Sequence, residues 1–260
     1  MLNVQTDAIH RFPPAGALLV VSPHFDDAAL SCSALLDRGQ PVDVLTVFSG
    51  APEPPLQGWW DERCGFASSA QSVPARRRED ENALAPDGHR LHLLDLLEVQ
   101  HFDGPRPAEH AVRIADGVRD WLAGRSDATV ALPAGAGWAP HWLPPRVAKK
   151  LREPRGPEPH HDHVFVRNAA LGAGLDQAQL VLYEEVPYLW GGSATRAARR
   201  SARAHGYEAQ LEVVPVDRER KARRLAAYTS QIPHISPPEG RLDSPATLPP
   251  NERYWRLRRR

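Results

Sequence analysis

The sequence predicts a single α/β domain built on a mostly parallel, doubly wound sheet with helices on both faces. Three observations lead there. Apolar runs of strand length, rich in β-branched residues, recur along the chain; helix-favouring segments alternate with them; and two polar clusters each stand between a strand and a helix. At 260 residues the chain can bury one large core without covalent staples.

Ala17 to Ser22 is apolar and β-branched, as a buried parallel strand is, and stops at Pro23. Ala28 to Leu36 follows at helical spacing, with Gly39 as a stop. Pro41 to Phe48 reads as a second buried strand, and the strand, helix, strand order implies a right-handed parallel crossover. Ala51 to Pro74 lacks periodicity and carries Trp59, Trp60 and Phe66; a loop of this length either covers a site as a lid or packs on the core. Ala75 to Pro86 is charged and helix-favouring, and its cluster Arg76 to Glu81 has the composition of a solvated face. His89 to Leu97 gives a short strand, Pro107 to Ala123 an amphipathic helix and Ala128 to Leu132 a fourth strand.

Pro133 to Pro159 forms a second long loop with Trp138, His141, Trp142 and a basic stretch from Arg146 to Arg155, and Val164 to Leu171 is apolar enough for a helix packed on the sheet. Gln179 to Tyr188 reads as a strand with acidic residues at its end, Ala194 to Ala204 as a basic helix, Glu208 to Val216 as an alternating strand, and Asp217 to Gln231 as a helix capped by Asp217. Asn251 to Arg260 ends in three arginines and reads as a frayed, solvated end.

Composition narrows the function classes. Lys plus Arg equal Asp plus Glu at 32 each, which gives no global pull toward nucleic acid or an anionic membrane. Nucleic-acid binding through Arg196 to Arg203 and the arginine tail is the weaker alternative. No apolar run approaches the roughly 18 residues of a membrane span. Cys32 and Cys64 are too few for a disulfide framework, and Met1 to Gly16 lacks a signal-peptide pattern, so a soluble, cytoplasmic protein is expected. Gly135-Ala-Gly137 and Gly172-Ala-Gly174 fall short of a dinucleotide fingerprint.

The chemistry lies in the two polar clusters. His24, Asp26 and Asp27 follow the first strand, and His160-His161-Asp162-His163 precede an apolar helix. Such corners of a parallel sheet share one edge, where open α/β sheets bind ligands. Taken alone, the first cluster could be a helix cap, with one aspartate capping and the other answering the helix dipole. Together, imidazoles and carboxylates gathered in one cleft cost free energy unless a cation offsets them. Hydrolytic zinc takes three protein ligands, commonly two histidines and a carboxylate, and keeps an open position for water. His24, Asp27 and His163 supply that set. Asp26, adjacent to Asp27 but pointing elsewhere, is then free to act as general base for attack on an amide or ester. His160 as an imidazolium could serve the departing amine or the oxyanion, and Asp162 could orient a histidine through its other N–H.

The segment SPHFDDAALSCSALL, with HHDH before an apolar helix, resembles the PIG-L or LmbE-like N-acetylglucosaminyl deacetylases, whose hallmark is Pro-His-x-Asp-Asp with a distant His-x-Asp-His. RRREDENAL at 76–84, YEEVPY at 183–188 and KARRLAAYTSQ at 221–231 are similar to further segments of that family, so the likeness spans most of the chain. The resemblance implies a Rossmann-like fold. It implies His24, Asp27 and His163 as ligands of Zn2+ or another divalent metal, Asp26 as base, His160 as electrostatic or acid partner, and Asp162, Arg76 and Glu79 behind the ligands or against substrate. It also implies a small N-acylated substrate, of the amino-sugar or pseudosaccharide kind found in antibiotic or low-molecular-weight thiol pathways.

Two departures stand out: Ala28 occupies the place where many members carry a glutamate, so a contact behind the ligands is missing or replaced, and the loop at about 138–159 is longer and more basic, which bears on substrate shape. Arg146, Lys149 or Lys150 could meet an anionic substrate group or a partner surface; a solvated loop is the alternative. An amidase on a thiol conjugate or other non-sugar amide, and a non-catalytic metal- or carbohydrate-binding module, are the competing readings. Oligomeric state is not legible.

Overall fold

The computed structural model describes residues 12–135, 160–188 and 194–260, the last stretch with side chains from Ala198 onward. One seven-stranded sheet runs through it, made of β1 (Ala17–Ser22), β2 (Asp43–Thr46), β3 (Arg90–Leu93), β4 (Ala128–Pro133), β5 (Ala178–Tyr183), β6 (Tyr207–Pro215) and β7 (Asn251–Arg259). Their order is β3-β2-β1-β4-β5-β7-β6; β1 to β5 are parallel, and β7 is antiparallel to both β5 and β6. The chain leaves β1 toward β2 on one side and returns on the other as β4, which makes the end of β1 a topological switch point.

Successive side chains of a strand face opposite ways, so each buried strand feeds two cores. Leu19, Val21, Val130, Leu132, Leu180 and Leu182 pack under α5 (Ala108–Leu122) and α6 (His161–Gly172) through Ile114, Val118, Val166 and Ala170. Leu18, Val20, Ala131, Val181 and Tyr183 pack on the other face against α1 (Asp27–Ser31), α2 (Ser33–Leu36), α4 (Ser69–Leu84) and α8 (Arg218–Leu225) through Ala29, Leu35, Leu84 and Leu225. The remaining helices are α3 (Trp59–Arg63), α7 (Ala194–Ala204) and α9 (Ile232–Ile235). No helix of the described residues is long and apolar enough to cross a membrane.

Three expectations are corrected. The helix expected over 28–36 breaks at Cys32 into α1 and α2, because the carboxylate of Glu252 accepts the N–H groups of Ser33 and Ala34 at 2.9 and 2.8 Å and starts a second helix there. The segment 51–74 is not without helix: it holds α3 and the first turn of α4, and Pro74 lies inside α4 instead of before it. The tail from Asn251 is no frayed end but strand β7, with Tyr254 and Trp255 fully buried and Arg256 paired to Glu212. The basic stretch at 138–159, with Arg146, Lys149 and Lys150, lies outside the described residues.

Candidate active site

The first corner is shaped by its own hydrogen bonds. Ser22 Oγ, at the end of β1, donates to the His24 carbonyl at 2.6 Å and accepts the Ala28 N–H at 3.1 Å, folding residues 22–28 back into α1. The His24 N–H donates to Asp27 Oδ2 at 2.9 Å. The second corner is the start of α6. His160 occupies its N-cap position, and Asp162 and His163, both 0% exposed, lie in its first turn. The quartet is thus part of the helix, where the sequence placed it ahead of one.

The two corners meet. His24 Nδ1 and His163 Nε2 each lie 3.2 Å from Asp27 Oδ2, and 3.3 Å from one another. Donor atoms in the tetrahedral shell of a zinc ion, at about 2.0–2.2 Å from the metal, are separated by about 3.3–3.6 Å. The three atoms therefore form one face of such a shell, and the N2O donor set suits zinc, iron or cobalt. His160 makes a looser set with His24 and His163, in which the ring nitrogens lie within 4.8 Å of one another. The set with Asp27 is the tighter one and includes a carboxylate to offset cation charge, so His24, Asp27 and His163 are the residues that could hold a metal.

Each histidine is oriented through its other nitrogen by a carboxylate, the arrangement that metal-binding imidazoles usually need. His24 Nε2 meets Asp162 Oδ2 at 3.1 Å, and His163 Nδ1 meets Glu185 Oε1 at 3.1 Å. Asp162 also accepts the Val99 N–H at 3.1 Å and two bonds from Arg106, whose guanidinium lies 4.1 Å over the Phe48 ring. Glu185 accepts the Gly135 N–H at 2.8 Å. The sequence assigned Asp162 an orienting role without its partner; it passed over Glu185, whose only signal was an acidic pair at the end of a strand, and Arg106, for which there was none.

The electrostatics follow from this crowding. Burial alone would raise Asp27, but the charge and hydrogen bonds of His163 and His24 hold it well below the usual carboxylate range. Burial opposes the charge on His163, yet Asp27 and Glu185 outweigh it and lift the imidazole to about 9. His24 is likewise raised against burial, by Asp162 and Asp27. Asp26 differs: burial first, then the neighbouring Asp27 charge, push its carboxyl up to about 6, with Arg76 and His24 pulling back. Its carboxylate has no side-chain hydrogen-bond partner among the described residues and lines a cleft of about 300 Å³. For His160, burial and then the charges of His163 and His24 push the pKa down to about 2, so the ring is neutral where an imidazolium was expected.

Arg76 also lines the cleft and is paired with Glu98, another residue the sequence did not single out. Glu79 is not at the cleft. It accepts from Thr229 Oγ1, Ser230 N and Ser230 Oγ at 2.7–2.9 Å, bracing the segment that brings Gln231 to the cleft wall.

No family model matches the chain. Among characterised proteins, the 2'-N-acetylparomamine deacetylase of Streptomyces fradiae is 30% identical over 231 residues, covering 83% of this chain and 74% of that protein. Among solved structures, the zinc-inhibited form of teicoplanin deacetylase Orf2 superposes with a TM-score of 0.67 at 22% identity, and A40926 pseudoaglycone deacetylase Dbv21 with 0.67 at 23%. Each match covers 94% of this chain and 98% of the other. At that identity these structures speak for the fold, while the Streptomyces relative carries the kinship further. The chain belongs to the PIG-L/LmbE-like deacetylase family.

Proposed function

We propose that the protein is a divalent-metal-dependent N-deacetylase, with His24, Asp27 and His163 as metal ligands and an N-acetylated amino sugar or pseudosaccharide of antibiotic biosynthesis as substrate. One observation carries this reading: three donor atoms 3.2–3.3 Å apart, drawn from both corners, beside the Asp26 carboxylate, which has no side-chain hydrogen-bond partner among the described residues and faces the cleft. Kinship to a 2'-N-acetylparomamine deacetylase supports the amino-sugar class. A bound zinc or similar cation supplies polarisation of the amide oxygen and a water nucleophilic near neutral pH.

The chain's own residues do the rest. Asp26, ionised above about pH 6, accepts the proton of the attacking water and, once protonated, stands in the same cleft as the departing amine and can return that proton to it. His160, neutral and lining the same cleft, can donate one ring N–H to the oxygen that gains charge. Asp162 and Glu185 keep the ring orientations of His24 and His163 fixed. Arg76, anchored by Glu98, keeps positive charge beside Asp26 and favours its ionised form.

The test is metal content together with acetate release from N-acetylglucosamine and 2'-N-acetylparomamine, for wild type and Asp26→Asn. The reading requires a stoichiometric divalent metal in both proteins and acetate from wild type alone. Metal-loaded wild type that releases no acetate from either compound, or an Asp26→Asn variant that matches it, defeats the reading. The first outcome fits a binding module, and the second removes Asp26 as the base.

A further inference from the structure

The cleft has a wall that the hydrolytic chemistry leaves unused. Helix α3 is five residues long, too short to hold itself together. It is pinned from several sides. Gln100 Oε1 accepts the N–H groups of Trp60 and Asp61, both at 3.1 Å; Asp61 Oδ2 accepts the Gly58 N–H at 3.0 Å and meets His101 Nε2 at 2.6 Å; and Trp60 Nε1 donates to Gln231 Oε1 at 2.8 Å. The His101 and Asp61 side chains are each 1% exposed, so the clamp is a buried one. What it presents is aromatic. Trp59 is 61% exposed, its ring 5.7 Å from that of Trp60, and both tryptophans line the cleft that holds Asp26 and His160.

The open Trp59 indole, standing against the clamped Trp60, keeps apolar surface in water, and covering it with a ligand is favourable. Two amides of the wall are already engaged, Gln100 Nε2 donating to Glu98 at 2.6 Å and Gln231 Nε2 to Ser230 Oγ at 2.8 Å, while Arg63 and His234 stand beside the Trp60 ring. The wall therefore offers ring faces with polar groups at their edge. A saturated six-membered sugar or cyclitol ring matches that offer, because its axial C–H bonds make an apolar face of aromatic size while its hydroxyls stay at the edge. The cleft, at about 300 Å³, is at the small end of ligand pockets. That volume has room for one acylated ring at Asp26, which would leave a second ring to the wall that carries Trp59.

We propose that Trp59, backed by Trp60, is the shelf on which the non-reacting ring of a two-ring N-acetylated substrate stacks. This deepens the deacetylase reading and rests on it for the position of the acylated ring. Trp59→Ala removes an exposed side chain and leaves the clamp intact. It is expected to raise KM for 2'-N-acetylparomamine, an amino sugar joined to an aminocyclitol, about 3- to 10-fold, the scale of an aromatic stacking contact, with kcat unchanged. KM for N-acetylglucosamine stays as in wild type. Calorimetric titration with paromamine reads the same shelf without turnover, and its affinity falls by a similar factor in Trp59→Ala. An unchanged paromamine affinity, or an equal rise in KM for both substrates, overturns the shelf. A selective effect on N-decanoylglucosamine would give the wall to an acyl chain and overturn it as well. If wild type releases no acetate at all, the deacetylase reading fails, and the paromamine titration still decides the shelf.

Discussion

His24 Nδ1 lies 3.3 Å from His163 Nε2 across 139 positions of sequence, and the same oxygen of Asp27 stands 3.2 Å from both. Two imidazole nitrogens at that distance share a proton or take a cation between them. Asp27, Asp162 and Glu185 surround the pair with negative charge, which is why both rings hold protons more tightly than a free histidine does. A divalent cation can take the place of those protons.

Loading the protein with Zn2+ at pH 7 is therefore expected to release about two protons, one from each histidine, since a metal ligand must be neutral imidazole. Both rings have pKa values above the ordinary range before the cation arrives, His163 at about 9. Protons compete with the metal at neutral pH, so affinity rises as pH increases toward 9. Calorimetry in buffers of different ionisation enthalpy counts the protons. A count near zero, or an affinity independent of pH between 6 and 9, speaks against this ligand set.

Glu185→Gln is expected to weaken metal binding about 10- to 100-fold, because the amide orients His163 less firmly and no longer makes its ring more basic. The Gly135 N–H keeps an acceptor, so the loop after β4 is retained. Competition against a chromogenic chelator measures the loss. Metal affinity equal to wild type would leave Glu185 as a structural acceptor only.

The sheet's centre was legible because β1, β4 and β5 are mostly apolar and α5 keeps one periodic face. Both corners were legible because each sits at a strand or helix end and carries residues with little reason to cluster. The arginine-rich end was misread because its charge is neutralised across the sheet, Arg256 by Glu212 and Arg253 by Glu184, partners that adjacent sequence does not show. Arg106 reaches Asp162 over 56 positions for the same reason. Helix α3 was missed because five residues cannot show a period, and its stability comes from the side chain of Gln100, 40 positions away from Trp60.

Asp26 links activity to stability. Burial and Asp27 raise its carboxyl from about 4 in an unfolded chain to about 6, so the metal-free fold favours the protonated form. The cost of ionising it is absent below about pH 4 and complete above about pH 6. Asp26→Asn, which cannot ionise, is expected to stabilise the metal-free protein by on the order of 2–3 kcal/mol at pH 7 and by nothing at pH 4. Bound metal shrinks the gain, since a cation favours the ionised aspartate. Urea unfolding at the two pH values measures it, and a gain equal at both would remove the electrostatic explanation.

Strand β7 ties the two halves of the molecule together, and its removal is the sharpest test of the fold. Trp255 is fully buried in one core, with its indole N–H on Glu184 at 2.8 Å; Tyr254 is fully buried in the other; Glu252 caps α2 and holds Lys221 of α8 at 2.6 Å. Trp255→Ala is expected to cost about 3–5 kcal/mol in urea unfolding, the range for emptying a large buried aromatic site. Ending the chain after Pro250 strips the shared edge from β5 and β6 and leaves Lys221 buried without its carboxylate, so that protein is expected to aggregate or fail to fold. Replacing Arg258, Arg259 and Arg260 together with alanine removes exposed ion pairs to Asp176 and Glu208 and the Arg259 contact with the Tyr207 ring, and should cost about 1 kcal/mol. A frayed end would tolerate all three changes equally; a central strand separates the first two from the third.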